Sequence, residues 1–202
     1  MVVASLAVIL TAPVMLIVWA LVKLTSEGPA IYRQPRVGID RRQRSGASPE
    51  SCRRAVDQGG KIFTIFKFRT MRVDPLSDQV WVAKDDPRIT PIGKFLRTTR
   101  LDELPQLFNV LRGDMNIVGP RPEQPKIFAS LSEELGEYRQ RQKVLPGITG
   151  LAQVSLPYDQ SIDDVKKKVD LDLEYIRRRS AVKDLVIMAQ TPAVMVFRKG
   201  AM

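Results

Sequence analysis

Twenty-one uncharged residues, VVASLAVILTAPVMLIVWALV, run from Val2 to Val22. At 1.5 Å per residue the run is long enough to cross a hydrocarbon core of about 30 Å. Beyond it the pattern changes. Residues 30–37, AIYRQPRV, and 61–69, KIFTIFKFR, predict two short strands, the second alternating imperfectly through Ile62, Phe63, Ile65, Phe66 and Phe68. Pro91 to Thr98 predicts a short helix. A longer amphipathic helix is predicted from Leu101 to a stop at Gly113, with Leu101, Leu104, Leu107, Phe108 and Leu111 on one face and Pro105 in the first turn. Helical signals are weaker over 123–143. Two further helices are expected over 161–179 and 181–198. The last has Leu185, Ile187, Met188, Val194, Val196 and Phe197 along one face and a basic end, as suits either a core helix or one lying in a membrane interface.

The leader admits two membrane readings. A signal peptide fits poorly, because no Lys or Arg precedes the apolar run. A simple spanning helix fits by hydropathy. Pro13, after Thr11 and Ala12, sits mid-run, where a missing amide and a clash with the preceding turn should kink or break the helix. Lys23 and the basic residues downstream favour a cytoplasmic location for the rest of the chain.

Charge narrows the function classes. Lys and Arg number 32 against 22 acidic residues in 202, a net charge of +10, which predicts an acidic partner: nucleic acid, an anionic membrane or phosphorylated substrates. The basic loop over residues 41–59 reads as a solvated insertion or as a contact for anionic headgroups. There is no histidine, so Ser-His-Asp and HExxH chemistry is excluded, and the one cysteine, Cys52, forms no internal disulfide. Catalysis must then use carboxylates, Lys, Arg, hydroxyls, backbone amides or an oxygen-bound metal.

The best candidates are Asp102 and Glu103 in LDELPQLFNVLRGDMNIVGPRP. Two carboxylates in a first helical turn can be mere dipole compensation, worth roughly 0.3–1 kcal/mol. Their surroundings argue for more. Arg97 and Arg100 precede them, Lys67 and Arg69 lie in KFRTM, and Arg121 sits in a Gly-Pro-Arg-Pro turn with Pro120. Arginine on proline-stiffened backbone suits bidentate phosphate recognition. Gly147 and Thr149 belong to PGITG, a glycine-rich turn whose exposed amides would make an anion nest.

The motifs KFRTM, RTTRLDELPQLFNVLRGDMNIVGPRP and PGITGLAQV, in this order, closely resemble those of the bacterial sugar transferases, the monotopic phosphoglycosyl transferases. The likeness runs from the leader through DLDLEYIRRRSAVKDLVIMAQT. It implies transfer of a phosphosugar from a UDP-sugar to undecaprenyl phosphate with release of UMP, through an aspartyl-phosphosugar. Asp102 matches the family's nucleophile and Mg²⁺ ligand, and Glu103 its catalytic partner. Lys67, Arg97 and Arg121 match basic residues around the diphosphate. Pro13 matches the proline that makes the leader re-entrant, dipping into one leaflet and returning. Four departures are visible: Ala12 in place of a serine, Leu145 in place of a basic residue, Leu151 in place of tryptophan, and the long basic loop.

The expectation is an α+β protein, mainly helical, with a small antiparallel β element. Residues 1–25 would form a re-entrant membrane helix and 26–202 a cytoplasmic catalytic domain with interfacial helices. Asp102 and Glu103 are the catalytic candidates, and Lys67, Arg69, Arg97, Pro120, Arg121, Gly147 and Thr149 the substrate-binding set. Thr11, Ala12 and Pro13 form the membrane break. The implied cofactor is Mg²⁺. Implied partners are a UDP-sugar, undecaprenyl phosphate and membrane lipid at the cytoplasmic face of a bacterial inner membrane, with no nucleic acid and a homodimer left open. A basic membrane-anchored nucleic-acid-binding or scaffold protein is the alternative. It accounts for charge and leader but not for the carboxylate pair.

Overall fold

In the computed structural model, which describes residues 2–41, 59–72, 86–156 and 162–197, the leader is one helix, α1, over Val2–Thr25. It runs through Pro13 without interruption, where a break was expected. A proline inside a helix costs about 3 kcal/mol. Burial offsets that: Met15, Val18 and Val22 pack with Ala30, Phe68 and Leu96, and side chains of this size contribute roughly 1.5–3 kcal/mol each. The Thr11 hydroxyl donates to Ala7 O at 2.7 Å, within its own helix. Near the other end Ala4 packs with Phe63, Ile65, Val110 and Met115. The opposite face, including Val2, Leu6, Ile9, Leu10, Leu16, Ile17 and Leu24, is exposed. The helix is long and apolar enough to cross a membrane.

Two strands follow, β1 (Ile31–Val37) and β2 (Ile62–Phe68), as an antiparallel ribbon in register from Ile31 opposite Phe68 to Val37 opposite Ile62. Pro35 is tolerated within β1 because it faces Thr64, whose carbonyl turns to the outer edge of β2. Helix α2 (Pro91–Thr98) starts where Thr90 Oγ1 accepts the Gly93 amide at 3.0 Å and Pro91 occupies the first turn.

The long helix expected from Leu101 is two pieces: a 3₁₀ turn over Leu101–Glu103 and α3 over Gln106–Leu111. Pro105 has no amide to give the Leu101 carbonyl, which instead accepts the Leu104 amide at 3.3 Å, closing a 3₁₀ turn where an α-helical bond would otherwise form. Arg100, with φ of 55°, turns the chain left-handed just before the carboxylates. The buried face of α3 is Gln106, Leu107, Asn109 and Val110, and Phe108, expected inside, is 44% exposed.

A second pair, β3 (Asn116–Val118) and β4 (Gly147–Thr149), is parallel and was not expected beside the antiparallel element. The connection between them carries α4 (Pro125–Glu134) and a 3₁₀ turn over Tyr138–Lys143. Then come α5 (Leu151–Ser155), α6 (Ile162–Arg177) and α7 (Ala181–Phe197). Val37, Ile127, Phe128, Leu131, Tyr138, Val169 and Leu173 form one core that joins β1 to α4 and α6. The apolar face expected of α7 is found in part: Ile187, Met188 and Val194 pack on one cluster, and Leu185 does not. Ile187 is buried against Val118, Val154 and Tyr175, whereas Val182, Leu185 and Val186 are exposed. The side chains of Val196 and Phe197, and residues 42–58 of the basic loop, lie outside the described residues.

Candidate active site

Strand alternation puts Lys67 on the same face of β2 as Phe63 and Ile65, the side where α3 packs. The register between β2 and the carboxylates is set by Asn109. Its Oδ1 accepts the Phe66 amide at 3.0 Å and its Nδ2 donates to Thr64 O at 2.7 Å, so one fully buried side chain completes the free edge of the strand. Lys67 Nζ thereby reaches Glu103 Oε1 at 2.9 Å and lies 3.8 Å from Asp102 Oδ2. Arg121 Nη2 donates to the same Glu103 oxygen at 2.9 Å, and Arg100 Nη1 is 3.9 Å from it.

Both carboxylates are buried, but their electrostatics differ. Burial pushes the Asp102 carboxyl up to about 6, against the pull of Lys67 and with the adjacent Glu103 charge adding to the rise. Burial acts on Glu103 in the same direction, but Arg121, Lys67 and Arg100 together hold its carboxyl well below the usual range. Glu103 in turn raises the Arg121 guanidinium, whereas burial lowers the Lys67 ammonium despite Glu103. Glu103 is thus ionised at neutral pH, a weakly basic organiser of two cations. Asp102 keeps more of its basicity and has the less committed oxygens. Such a split between neighbouring carboxylates separates their chemical roles.

The other sequence candidates divide by position. Arg97 lies at the margin, Nε donating to Thr70 Oγ1 at 3.1 Å and Nη2 contacting Met71 Sδ at 3.4 Å, with its charge felt at Asp102. Pro120 and Gly147 lie under Arg121: the Gly147 amide donates to Pro120 O at 2.9 Å. That amide is engaged within the fold, unlike the exposed nest expected of PGITG. The two backbones approach so closely that a Cβ on Gly147 would lie 2.1 Å from Gly119 N. Arg69 turns away to Ser26, donating to its carbonyl at 2.7 Å and its hydroxyl at 2.8 Å, and so ties the end of α1 to β2. Thr149 Oγ1 pairs with Thr191 Oγ1 of α7 at 2.9 Å. Thr11, Ala12 and Pro13 lie on α1, apart from this cluster. Asn109 was missed; its signal was a polar residue within the apolar stretch Leu107–Leu111.

No cluster of three or more Asp, Glu, Cys or His side chains poised to hold a metal occurs among the described residues. The pair alone still suits Mg²⁺, which binds through one or two carboxylates and completes its octahedron with water and substrate phosphates. Of the two, Asp102 has the oxygens to offer.

Residues 1–198 match the bacterial sugar transferase family. A UDP-glucose:undecaprenyl-phosphate glucose-1-phosphate transferase of Klebsiella pneumoniae is 41% identical over 193 residues, 94% of this chain and 37% of the relative. An undecaprenyl-phosphate glucose phosphotransferase of Komagataeibacter xylinus is 39% identical over 197 residues, covering 94% of this chain and 34% of the relative. A UDP-N-acetylgalactosamine-undecaprenyl-phosphate N-acetylgalactosaminephosphotransferase of Aeromonas hydrophila is 37% identical over 199 residues, 98% of this chain and 43% of the relative. The chain spans well under half the length of these three relatives. On the match along nearly its whole length, the chain belongs to the bacterial sugar transferase family.

Proposed function

We propose that this chain is the catalytic unit of a phosphoglycosyl transferase that moves a sugar phosphate from a UDP-sugar to undecaprenyl phosphate. The observation that carries the reading is the asymmetry of the carboxylates: Glu103 holds Lys67 and Arg121, and Asp102 is left with free nucleophilic capacity beside them. A carboxylate oxygen of Asp102 attacks the phosphorus bearing the sugar. The bond to the bridging oxygen breaks, UMP departs, and an aspartyl-phosphosugar remains. A phosphate oxygen of the polyprenyl acceptor then attacks the same phosphorus, releasing the Asp102 carboxylate and forming the lipid diphosphosugar. The acceptor is already ionised at neutral pH, so the missing histidine is no obstacle. Lys67 and Arg121 offset the negative charge that gathers on the diphosphate. Mg²⁺ bound at Asp102 and the diphosphate would supply further charge neutralisation. The relatives differ in donor, so the sugar is left to a screen: UDP-glucose and UDP-N-acetylgalactosamine with undecaprenyl phosphate in detergent. UMP release that depends on Asp102 supports the reading, and no release with any UDP-sugar overturns it.

We also propose a monotopic placement at the cytoplasmic face of a bacterial inner membrane. Between Ala4 and Val22 the helix advances about 27 Å, yet both residues pack on the same domain. A helix crossing the bilayer would draw one of those contacts into the far leaflet. The packing supports a helix that shares one leaflet with the domain, its exposed apolar face in lipid.

A further inference from the structure

The segment Gly119–Glu123 contains two prolines, which fix φ near −65° and donate no amide. Its carbonyls are nonetheless held one after another. Pro120 O accepts from Gly147 N at 2.9 Å, and Glu123 O from Val37 N at 2.9 Å. The two carbonyls between them accept from arginine side chains: Arg121 O from Arg141 Nη2 at 3.0 Å, and Pro122 O from Arg36 Nη1 at 3.0 Å. Arg141 is itself fully engaged. Nε donates to Asp172 Oδ2 at 2.8 Å, Nη1 donates to Tyr138 Oη at 2.7 Å, and the guanidinium carbon lies 4.8 Å from the centre of the Tyr138 ring.

We propose that Arg141, anchored by Asp172 and Tyr138, is a positioning residue for the transfer reaction: by gripping the Arg121 carbonyl it fixes where the Arg121 guanidinium meets Glu103. The inference rests on the functional reading above. Arg141 and Asp172 are 3% and 2% exposed, so the pair lies in the protein interior. A buried ion pair is weak evidence for stability, since apolar residues of similar volume often serve as well or better. What an apolar replacement cannot do is donate to the Arg121 carbonyl while held by α6 and the 3₁₀ turn. The planar fork matters too. Its three nitrogens serve three acceptors at once, and a lysine at this position cannot reproduce that geometry.

The test is a double-mutant cycle on the full-length chain in detergent, read as kcat for UMP release and as melting temperature. Arg121→Ala and Arg141→Lys should each lower kcat about tenfold or more, and the double variant should be no slower than the slower single one, because Arg141 acts only through the Arg121 guanidinium. Arg141→Lys should still lower the melting temperature in the Arg121→Ala background. Penalties that multiply, or an Arg141→Lys protein that melts early yet keeps kcat within twofold, would reduce the clamp to a structural pair. If Arg141→Lys does not fold, Tyr138→Phe replaces it in the cycle with a smaller expected loss, about threefold, and the same rule. A wild-type chain that releases no UMP from any donor defeats the functional reading and the clamp with it; active wild type with multiplying penalties defeats the clamp alone.

Discussion

Lys67 Nζ bonds Glu103 Oε1 at 2.9 Å, and the same oxygen takes Arg121, so two cations are committed to one carboxylate. Adjacent Asp102 is held only at 3.8 Å by Lys67. The consequences for substitution are opposite in kind. Asp102→Asn removes the nucleophile and should abolish turnover, by more than 10³-fold, with little change in stability, since folding already disfavours its ionised form. Glu103→Gln should impair turnover and also lower stability by about 1–3 kcal/mol, because it leaves the part-buried Lys67 and Arg121 without their shared anion. Parallel assays of UMP release and urea unfolding decide this. An Asp102→Asn protein that is the less stable of the two contradicts the assignment.

The raised Asp102 carboxyl sets the pH dependence. With a folded value near 6, the nucleophile is increasingly protonated as pH falls from 7 to 5, and kcat/KM should decline along that limb. Stability should not follow. A carboxyl raised by folding favours the folded state more as it protonates, while Glu103, depressed by its cations, keeps its contribution until pH falls below the unfolded value of about 4.3. Magnesium at Asp102 would favour the ionised form, so higher Mg²⁺ should move the acid limb to lower pH. Rate profiles at two Mg²⁺ concentrations, beside melting curves at the same pH values, test both. A limb that ignores Mg²⁺ would remove Asp102 from the metal.

Asn109 gives a prediction about the scaffold alone. Asn109→Leu keeps the branched outline of the side chain but leaves the Phe66 amide and the Thr64 carbonyl without their partner at a buried edge. Each unsatisfied group costs about 1–3 kcal/mol, so the variant should lose about 2–6 kcal/mol. The urea midpoint should fall at constant m value. A loss below about 1 kcal/mol means that the edge is hydrated and the side chain sets no register.

Local signals made α2 and both strands of the ribbon readable: Thr90 and Pro91 announce a helix start, and β2 shows its alternation. The stretch from Leu101 to Gly113 misled, because its leucine spacing fits a continuous helix and periodicity cannot register that Pro105 withholds an amide from Leu101. The β3–β4 pair was invisible for another reason. Each strand has three residues, and their pairing depends on glycine-to-glycine backbone contact between distant segments. Asp102 and Glu103 were legible as chemistry. Their inequality was not, since it arises from which carboxylate Lys67 and Arg121 reach after folding. Arg69 looked equivalent to Lys67 two residues away, yet it latches Ser26.

The placement of α1 yields the last prediction. A spanning helix and one confined to a single leaflet have the same hydropathy, but they put its two ends on opposite sides or on the same side. Single cysteines at the exposed positions Val2 and Glu27, in a Cys52→Ser background, can be probed in intact cells with a membrane-impermeant thiol reagent. Confinement to the cytoplasmic leaflet predicts that neither reacts until the cells are opened. Labelling of the Val2→Cys protein from outside, with Glu27→Cys protected, would establish a span and detach Ala4 from its contacts with Val110 and Met115. Packing also predicts how the placement can be broken. Ala4→Trp would force a bulky ring into a fully buried site and should loosen that end of α1 from the domain. Leu10→Trp, on the exposed face, should be tolerated. If Ala4→Trp leaves labelling, melting and UMP release unchanged, the contact does not hold the helix to one side.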